Sequence, residues 1–232
     1  MTSAGWNGPT FPGTIDIILK GNTPLTYPLP FTIPSNDPRI IAVKGGLDLC
    51  GLARTTTWAR LVRTASSGEH LILLNQSVDW QNGDEIVITT TDRSISHTER
   101  HTIAEIINST VIRTVNPLAY NHLVLQRTFS NGQTVNVAAA VGLLTRNIRV
   151  ISYNPGPNQL GVRIFIAENS PGFHNKGFAR LSNVQFIGFG KFDDTLSSDQ
   201  QAGIFMSRLG NWDVQRPTSI DKCSFDGGYN AA

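Results

Sequence analysis

Asn183-Val184-Gln185-Phe186-Ile187-Gly188 is the stretch that decides the fold, because the chain writes it three times. Asn147-Ile148-Arg149-Val150-Ile151-Ser152 begins 36 residues earlier, and Lys222-Cys223-Ser224-Phe225-Asp226-Gly227 begins 39 residues later. Each run has a polar start, then alternating apolar residues, then a small residue. Alternation puts the apolar side chains on one face of a strand, and β-branched and aromatic residues suit that pleated surface. Between these runs, Gly161-Val162-Arg163-Ile164-Phe165-Ile166 and Gly203-Ile204-Phe205-Met206 recur at a spacing of 42 residues. Short strands at a near-constant period mark a solenoid. A single coil cannot bury its own apolar face, and the next coil covers it. The pattern predicts the first coils of a parallel β-helix over residues 140–232. No polar cap follows the last run before Gly228-Tyr229-Asn230-Ala231-Ala232, so the chain reads as a fragment of a longer protein.

Upstream, Val78-Asp79-Trp80-Gln81-Asn82-Gly83-Asp84-Glu85-Ile86-Val87-Ile88 is a turn feeding a strand. Asn82-Gly83 supplies the positive φ of a tight turn, and the β-branched run after it continues into Thr89-Thr90-Thr91. Further strands are expected at 15–19, 39–43, 47–49, 58–63, 70–74, 99–107, 110–115 and 123–129. Hairpin turns are expected at Asn108-Ser109 and at Ser130-Asn131-Gly132. Five prolines at 24, 28, 30, 34 and 38 disfavour both helix and central strand, so 24–38 reads as an extended loop.

With 232 residues, 40% hydrophobic and only 16% charged, the chain can bury a sizeable core as a turn-rich all-β protein. A net charge of +2, with no basic stripe, gives no reason to expect nucleic acid as a partner. No apolar run approaches the roughly 18 residues of a membrane span, and Met1-Thr2-Ser3-Ala4-Gly5-Trp6 lacks the regions of a signal peptide. Cys50 and Cys223 are either one long-range disulfide or two separate buried thiols. Asn75-Gln76-Ser77 and Asn108-Ser109-Thr110 have the form of glycosylation sequons.

Taken in order and spacing, Gly21-Asn22, Ile41 to Leu49, Trp58 to Leu61, Thr64-Ala65, Val78-Asp79-Trp80, Gly83 to Ile88 and Thr98-Glu99 resemble the G8 domain of extracellular proteins. Val141 to Ile148 looks like the entry into the right-handed parallel β-helix that follows G8 in that family. Ser182 to Phe186 and Ile220 to Phe225 resemble its fibrocystin branch. The resemblance implies an all-β fold with a G8 β-sandwich or roll at 10–135 continuing into a right-handed parallel β-helix at 140–232. It implies a cell-surface or extracellular location, with any signal peptide and anchor outside the fragment. It also implies a non-enzymatic recognition or adhesion role, with a glycan or an extracellular protein as partner and no cofactor. Its motif residues Asp48, Trp58, Asp79, Trp80, Gly83, Asp84 and Glu99 are then mainly architectural. Another branch of the family promotes hyaluronan depolymerisation and is expected to carry a His-Phe-His triplet near 202–206. Here that place reads Ala202-Gly203-Ile204-Phe205-Met206, without histidine.

Three sets of residues invite a chemical reading. If His97, Glu99 and His101 lie on one strand they share a face, as zinc or copper ligands or as a solvated polar edge. Asp79, Asp84, Glu85 and Asp92 gather around one strand, and glycoside hydrolysis needs two carboxylates roughly 5–9.5 Å apart. Yet Asp beside a turn commonly caps backbone N–H groups instead. Asp193, Asp194, Arg208, Trp212, Asp213 and Arg216 lie between the expected coils, where solenoids often build their binding face. The competing activity, a polysaccharide-depolymerising enzyme, would draw on paired carboxylates in a groove with raised pKa values.

Overall fold

The computed structural model describes residues 10–21, 39–154, 161–167, 177–190, 202–207 and 217–228. Eighteen strands and one short 3-10 turn make up the described chain. It divides into two compact units, one formed by 1–53 with 146–232 and the other by 54–145.

The first unit begins with β1 (Ile15–Leu19), β2 (Ile40–Val43) and β3 (Gly46–Cys50). The chain then enters the second unit through β4 (Trp58–Arg60), β5 (Leu71–Leu73) and β6 (Glu85–Ile88). The 3-10 turn Ile95–His97 leads to β7 (Glu99–Asn108), β8 (Val111–Thr114), the hairpin strands β9 (Val124–Thr128) and β10 (Thr134–Ala138), and β11 (Ala140–Leu143). Back in the first unit are β12 (Ile148–Ser152), β13 (Arg163–Ala167), β14 (Phe178–Ser182), β15 (Val184–Ile187), β16 (Ile204–Ser207), β17 (Ser219–Asp221) and β18 (Ser224–Asp226).

The first unit is a three-faced parallel solenoid. Its faces are β1-β12-β15-β18, β2-β13-β16 and β3-β14-β17, and every pairing is parallel. Like residues stack in columns. Ile17, Val150, Phe186 and Phe225 share one register line, and Leu49, Leu181 and Ile220 another. The inward columns form a dry core around Val150, Ile164, Ile166, Leu181, Val184 and Phe186. Register also aligns opposite charges between the first two coils. Arg149 grips Asp16 at 2.7 and 2.6 Å, and Arg180 grips Asp48 at 2.6 and 2.7 Å. A shift of one residue would turn each inward column outward and separate these pairs.

One corner of the solenoid is set by backbone geometry. Gly51, Asn183 and Lys222 follow β3, β14 and β17 on successive coils, and Asn183 and Lys222 hold φ of 53° and 50°. Asn tolerates this left-handed region better than most residues. Gly51 is needed for a different reason: a Cβ there would lie 2.3 Å from the Asn183 carbonyl oxygen and 2.6 Å from Asn147 Oδ1. The Asn147 side chain staples that corner, accepting from Leu52 N–H at 2.7 Å and donating to the carbonyls of Phe11 and Gly13 at 2.8 and 2.6 Å. Gly51→Ala is therefore expected to cost about 1–3 kcal/mol through overpacking, read as a lower urea midpoint. An unchanged midpoint would show that the corner can yield.

In the second unit a six-stranded antiparallel sheet runs in the order β4-β11-β6-β7-β8-β5. Leu61 bridges to Leu74, and hydrogen bonds from Val62 N–H to Leu73 O (3.1 Å) and from Asn75 N–H to Arg60 O (2.9 Å) join the ends. The sheet thus closes on itself as a roll, which removes its open edges. Inward-facing Ala59, Ile72, Ile86, Ile88, Ile103, Ile112, Val141 and Leu143 fill it, with Trp80 among them. The β9–β10 hairpin turns at Phe129–Gln133, where Gly132 takes φ 78°.

The fold is the expected all-β combination of roll and parallel solenoid, but the units divide differently from 10–135 and 140–232. The three N-terminal strands pair with β12, β13 and β14, so they are the first coil of the solenoid, and the roll interrupts the sequence between two coils. Cys50 and Cys223 are both free thiols. Cys223 packs against the solenoid core, and burial pushes its thiol up to about 11.

Candidate functional site

The side chains that converge most closely surround Glu99, the first residue of β7. Alternation along β7 turns Glu99, His101 and Ile103 inward and Arg100 and Thr102 outward. The buried Glu99 carboxylate accepts four hydrogen bonds. Oε1 takes Tyr120 N–H at 2.7 Å and His122 Nε2 at 3.0 Å, while Oε2 takes Ala119 N–H at 2.7 Å and His101 Nε2 at 3.0 Å. Burial pushes this carboxyl up, but the two backbone N–H groups and the two imidazoles more than offset it, and its pKa is lowered. His122 is fully buried, and its other nitrogen, Nδ1, faces the Thr89 carbonyl at 2.9 Å. The cluster therefore surrounds a buried carboxylate with hydrogen-bond partners and ties the segment 119–122 onto β7.

This differs from the set His97, Glu99 and His101. His97 ends the 3-10 turn rather than lying on the strand. Its Nδ1 meets Asp92 Oδ2 at 2.5 Å and its ring stacks on Tyr120, with centroids 4.0 Å apart. That bond, with those from Ser94 N–H and Thr90 Oγ1, lowers the Asp92 carboxyl to about 2. Among the described residues no group of three His, Cys, Asp or Glu side chains has a metal-binding arrangement. The histidine that does join Glu99 is His122, which motif reasoning missed: it lies 23 residues away in a loop, and no spacing rule connects it.

The motif around 78–88 builds a second network. Asp79 accepts from Thr55 N–H at 2.8 Å and Thr56 N–H at 3.4 Å, holding the chain entering β4. Burial raises the Asp79 carboxyl, the Thr55 and Thr56 bonds lower it, and the net shift is downward. Arg54 donates to the Asp79 carbonyl at 2.8 Å and bridges to Asp84 at 3.2 Å. The nearly buried Asp84 carboxylate also caps Gln81 N–H at 2.8 Å. Gly83 supplies φ 88° between them, and Trp80 Nε1 donates to the Thr56 carbonyl at 2.7 Å. Asp79, Trp80, Gly83 and Asp84 thus cooperate in one local scaffold. Glu85 faces outward and pairs with Arg100 at 2.8 Å.

Asp48 sits on the solenoid, held by Arg180. Trp58 is on the outer face of β4, 53% exposed, with the Arg60 guanidinium 5.7 Å from its ring centroid. The expected binding residues Asp193, Asp194, Arg208, Trp212, Asp213 and Arg216 all lie outside the described residues. The stretch compared with the His-Phe-His triplet contains β16, with Ile204 and Phe205 in register with Ile164 and Phe165. No helix among the described residues is long and apolar enough to cross a membrane.

Fold and site together define an all-β protein in which a closed roll, stapled by buried carboxylates, interrupts a parallel solenoid. Across 98% of its length the chain is 33% identical to fibrocystin-L of Homo sapiens, and 31% identical to fibrocystin-L of Mus musculus. It is 29% identical over 81% of its length to a G8 domain-containing protein of Dictyostelium discoideum, covering 12% of that protein. These similarities support a G8-containing, fibrocystin-like family. The chain spans only 6% of either fibrocystin-L. No family model matches it. Among solved structures it is similar to the tailspike gp49 of Pseudomonas phage LKA1, with a TM-score of 0.31 and 12% identity, over 65% of this chain and 24% of that one. It is also similar to the tailspike gp61 of Pseudomonas phage phi297, with a TM-score of 0.31 and 9% identity, over 83% of this chain and 36% of that one.

Proposed function

We propose that the chain is a non-enzymatic recognition module, binding a glycan or a protein outside the cell as part of a larger fibrocystin-like cell-surface or secreted protein. The observation that carries this is the similarity to fibrocystin-L along 98% of the chain, which takes in both roll and solenoid. The carboxylates add support. A glycosidase general acid needs a raised pKa, whereas Asp16, Asp79, Asp92 and Glu99 are all lowered, each by hydrogen bonds within the fold. Asp79, Asp84 and Glu99 are occupied in holding backbone N–H groups, so charge there serves architecture.

The test is hyaluronan chain length after incubation with cells displaying the full-length parent, beside an active depolymerising control, with saturable binding of the displayed protein to a glycan or matrix-protein array as the second readout. Unchanged chains and saturable binding are expected. Shortened chains would overturn the non-enzymatic reading, and failure to bind any array component would count against recognition.

A further inference from the structure

Two sequons more than thirty residues apart in sequence meet at one rim of the roll. Val78 N–H donates to Ser109 O and Leu74 N–H to Thr110 O, both at 2.8 Å, and the hydroxyls of Ser77 and Ser109 are 3.2 Å apart. Asn75-Gln76-Ser77 and Asn108-Ser109-Thr110 therefore lie side by side, and Asn75, Gln76, Ser77, Asn108 and Ser109 are all exposed. Asn108 closes β7 and pairs with Val111 of β8 across the two-residue turn Ser109-Thr110. Its Oδ1 is fully engaged, accepting from Thr110 N–H at 2.9 Å and from Thr110 Oγ1 at 3.0 Å. Its Nδ2 makes no hydrogen bond among the described residues. The amide nitrogen is thus presented to solvent at a hairpin tip, where a bulky polar substituent displaces no packing.

We propose that Asn108 is an N-glycosylation acceptor. The inference rests on the extracellular reading above, since the modification needs the secretory pathway. The co-reactant is an oligosaccharide carried on a lipid diphosphate. A bond forms between Asn108 Nδ2 and the anomeric carbon of the first sugar, the bond from that carbon to the phosphate oxygen breaks, the lipid diphosphate leaves with the bonding pair, and the amide loses one proton. Transfer to the nascent chain asks only that the folded protein tolerate the product. Asn75 is the less open of the two sites, because its Oδ1 accepts from Arg60 N–H at 2.8 Å and helps close the roll.

The experiment expresses the full chain behind a secretory leader in eukaryotic cells and releases glycans enzymatically in 18O-water, so that each formerly glycosylated Asn is read by mass spectrometry as a labelled Asp. Label at position 108 is expected, and Asn108→Gln and Thr110→Ala should each remove it. Gln133→Thr, which places a hydroxyl residue two positions after Asn131 in the exposed β9–β10 turn, is the control for access to the transferase. Label at 131 in that variant with none at 108 would overturn the proposal. Applying the same digestion to the parent protein from its own cells separates the two ideas: label at 108 in the leader-driven chain but none in the parent would sink the extracellular reading and not the site.

Discussion

Glu99→Gln is expected to destabilise the roll by about 1–3 kcal/mol, the cost of leaving buried hydrogen-bonding groups unsatisfied. The substitution keeps the shape and is nonetheless not conservative. Each carboxylate oxygen of Glu99 receives two donors, one backbone N–H and one imidazole. An amide offers one oxygen, and its NH2 must face the other pair donor to donor, leaving buried N–H groups unsatisfied. The effect has a pH signature. The Glu99 carboxyl is lowered in the folded protein, so the stability it contributes is fully present above the unfolded value of about 4.3 and is lost as pH falls through the folded value. The wild-type advantage over Glu99→Gln in urea denaturation should therefore be large at neutral pH and shrink in acid. An advantage that is absent at neutral pH, or that grows on acidification, would show that Glu99 is not ionised in this cluster.

How far this cluster could be read from sequence depends on the range of each contact. Glu99 and His101 share a strand face, a period-two relation that alternation reveals. His97 fits the same period but lies outside the strand, because Asp92 and Tyr120 hold it in the preceding turn. His122 reaches Glu99 only through the tertiary course of the 115–123 loop, for which the chain carries no local signal. The solenoid divides in the same way. The strands of β12, β15 and β18 are plain in sequence because like residues recur at a near-constant period. Ile15–Leu19 is equally plain as a strand, but its partner Ile148–Ser152 lies beyond the whole roll. Nothing local in an interrupted solenoid says which strands belong to it, so the first coil reads as part of the neighbouring unit. Asp48 and Arg180 hold the missing clue, a carboxylate and a guanidinium in matching register, and it is visible only once the coils are stacked.

Phe186→Ala should be the most damaging single truncation in the solenoid, at about 3–5 kcal/mol. Phe186 is 1% exposed, lies in the inward column between Val150 and Phe225, and stacks on the Phe225 ring with centroids 5.0 Å apart and planes 9° from parallel. Truncation removes its own burial and the stacking contact, and leaves a cavity between two coils that backbone hydrogen bonds hold at fixed spacing, so collapse around it is limited. Phe225 shares the same stack but is 40% exposed. Phe225→Ala therefore loses the stacking contribution of about 0.5–1.5 kcal/mol with only part of the burial. The two variants, compared by urea denaturation with far-UV circular dichroism, separate the column from the contact. A clear excess for Phe186→Ala is expected if stability accrues coil by coil through buried columns. Equal losses would mean that the aromatic pair, and not the stacked core around Phe186, holds the third coil in place.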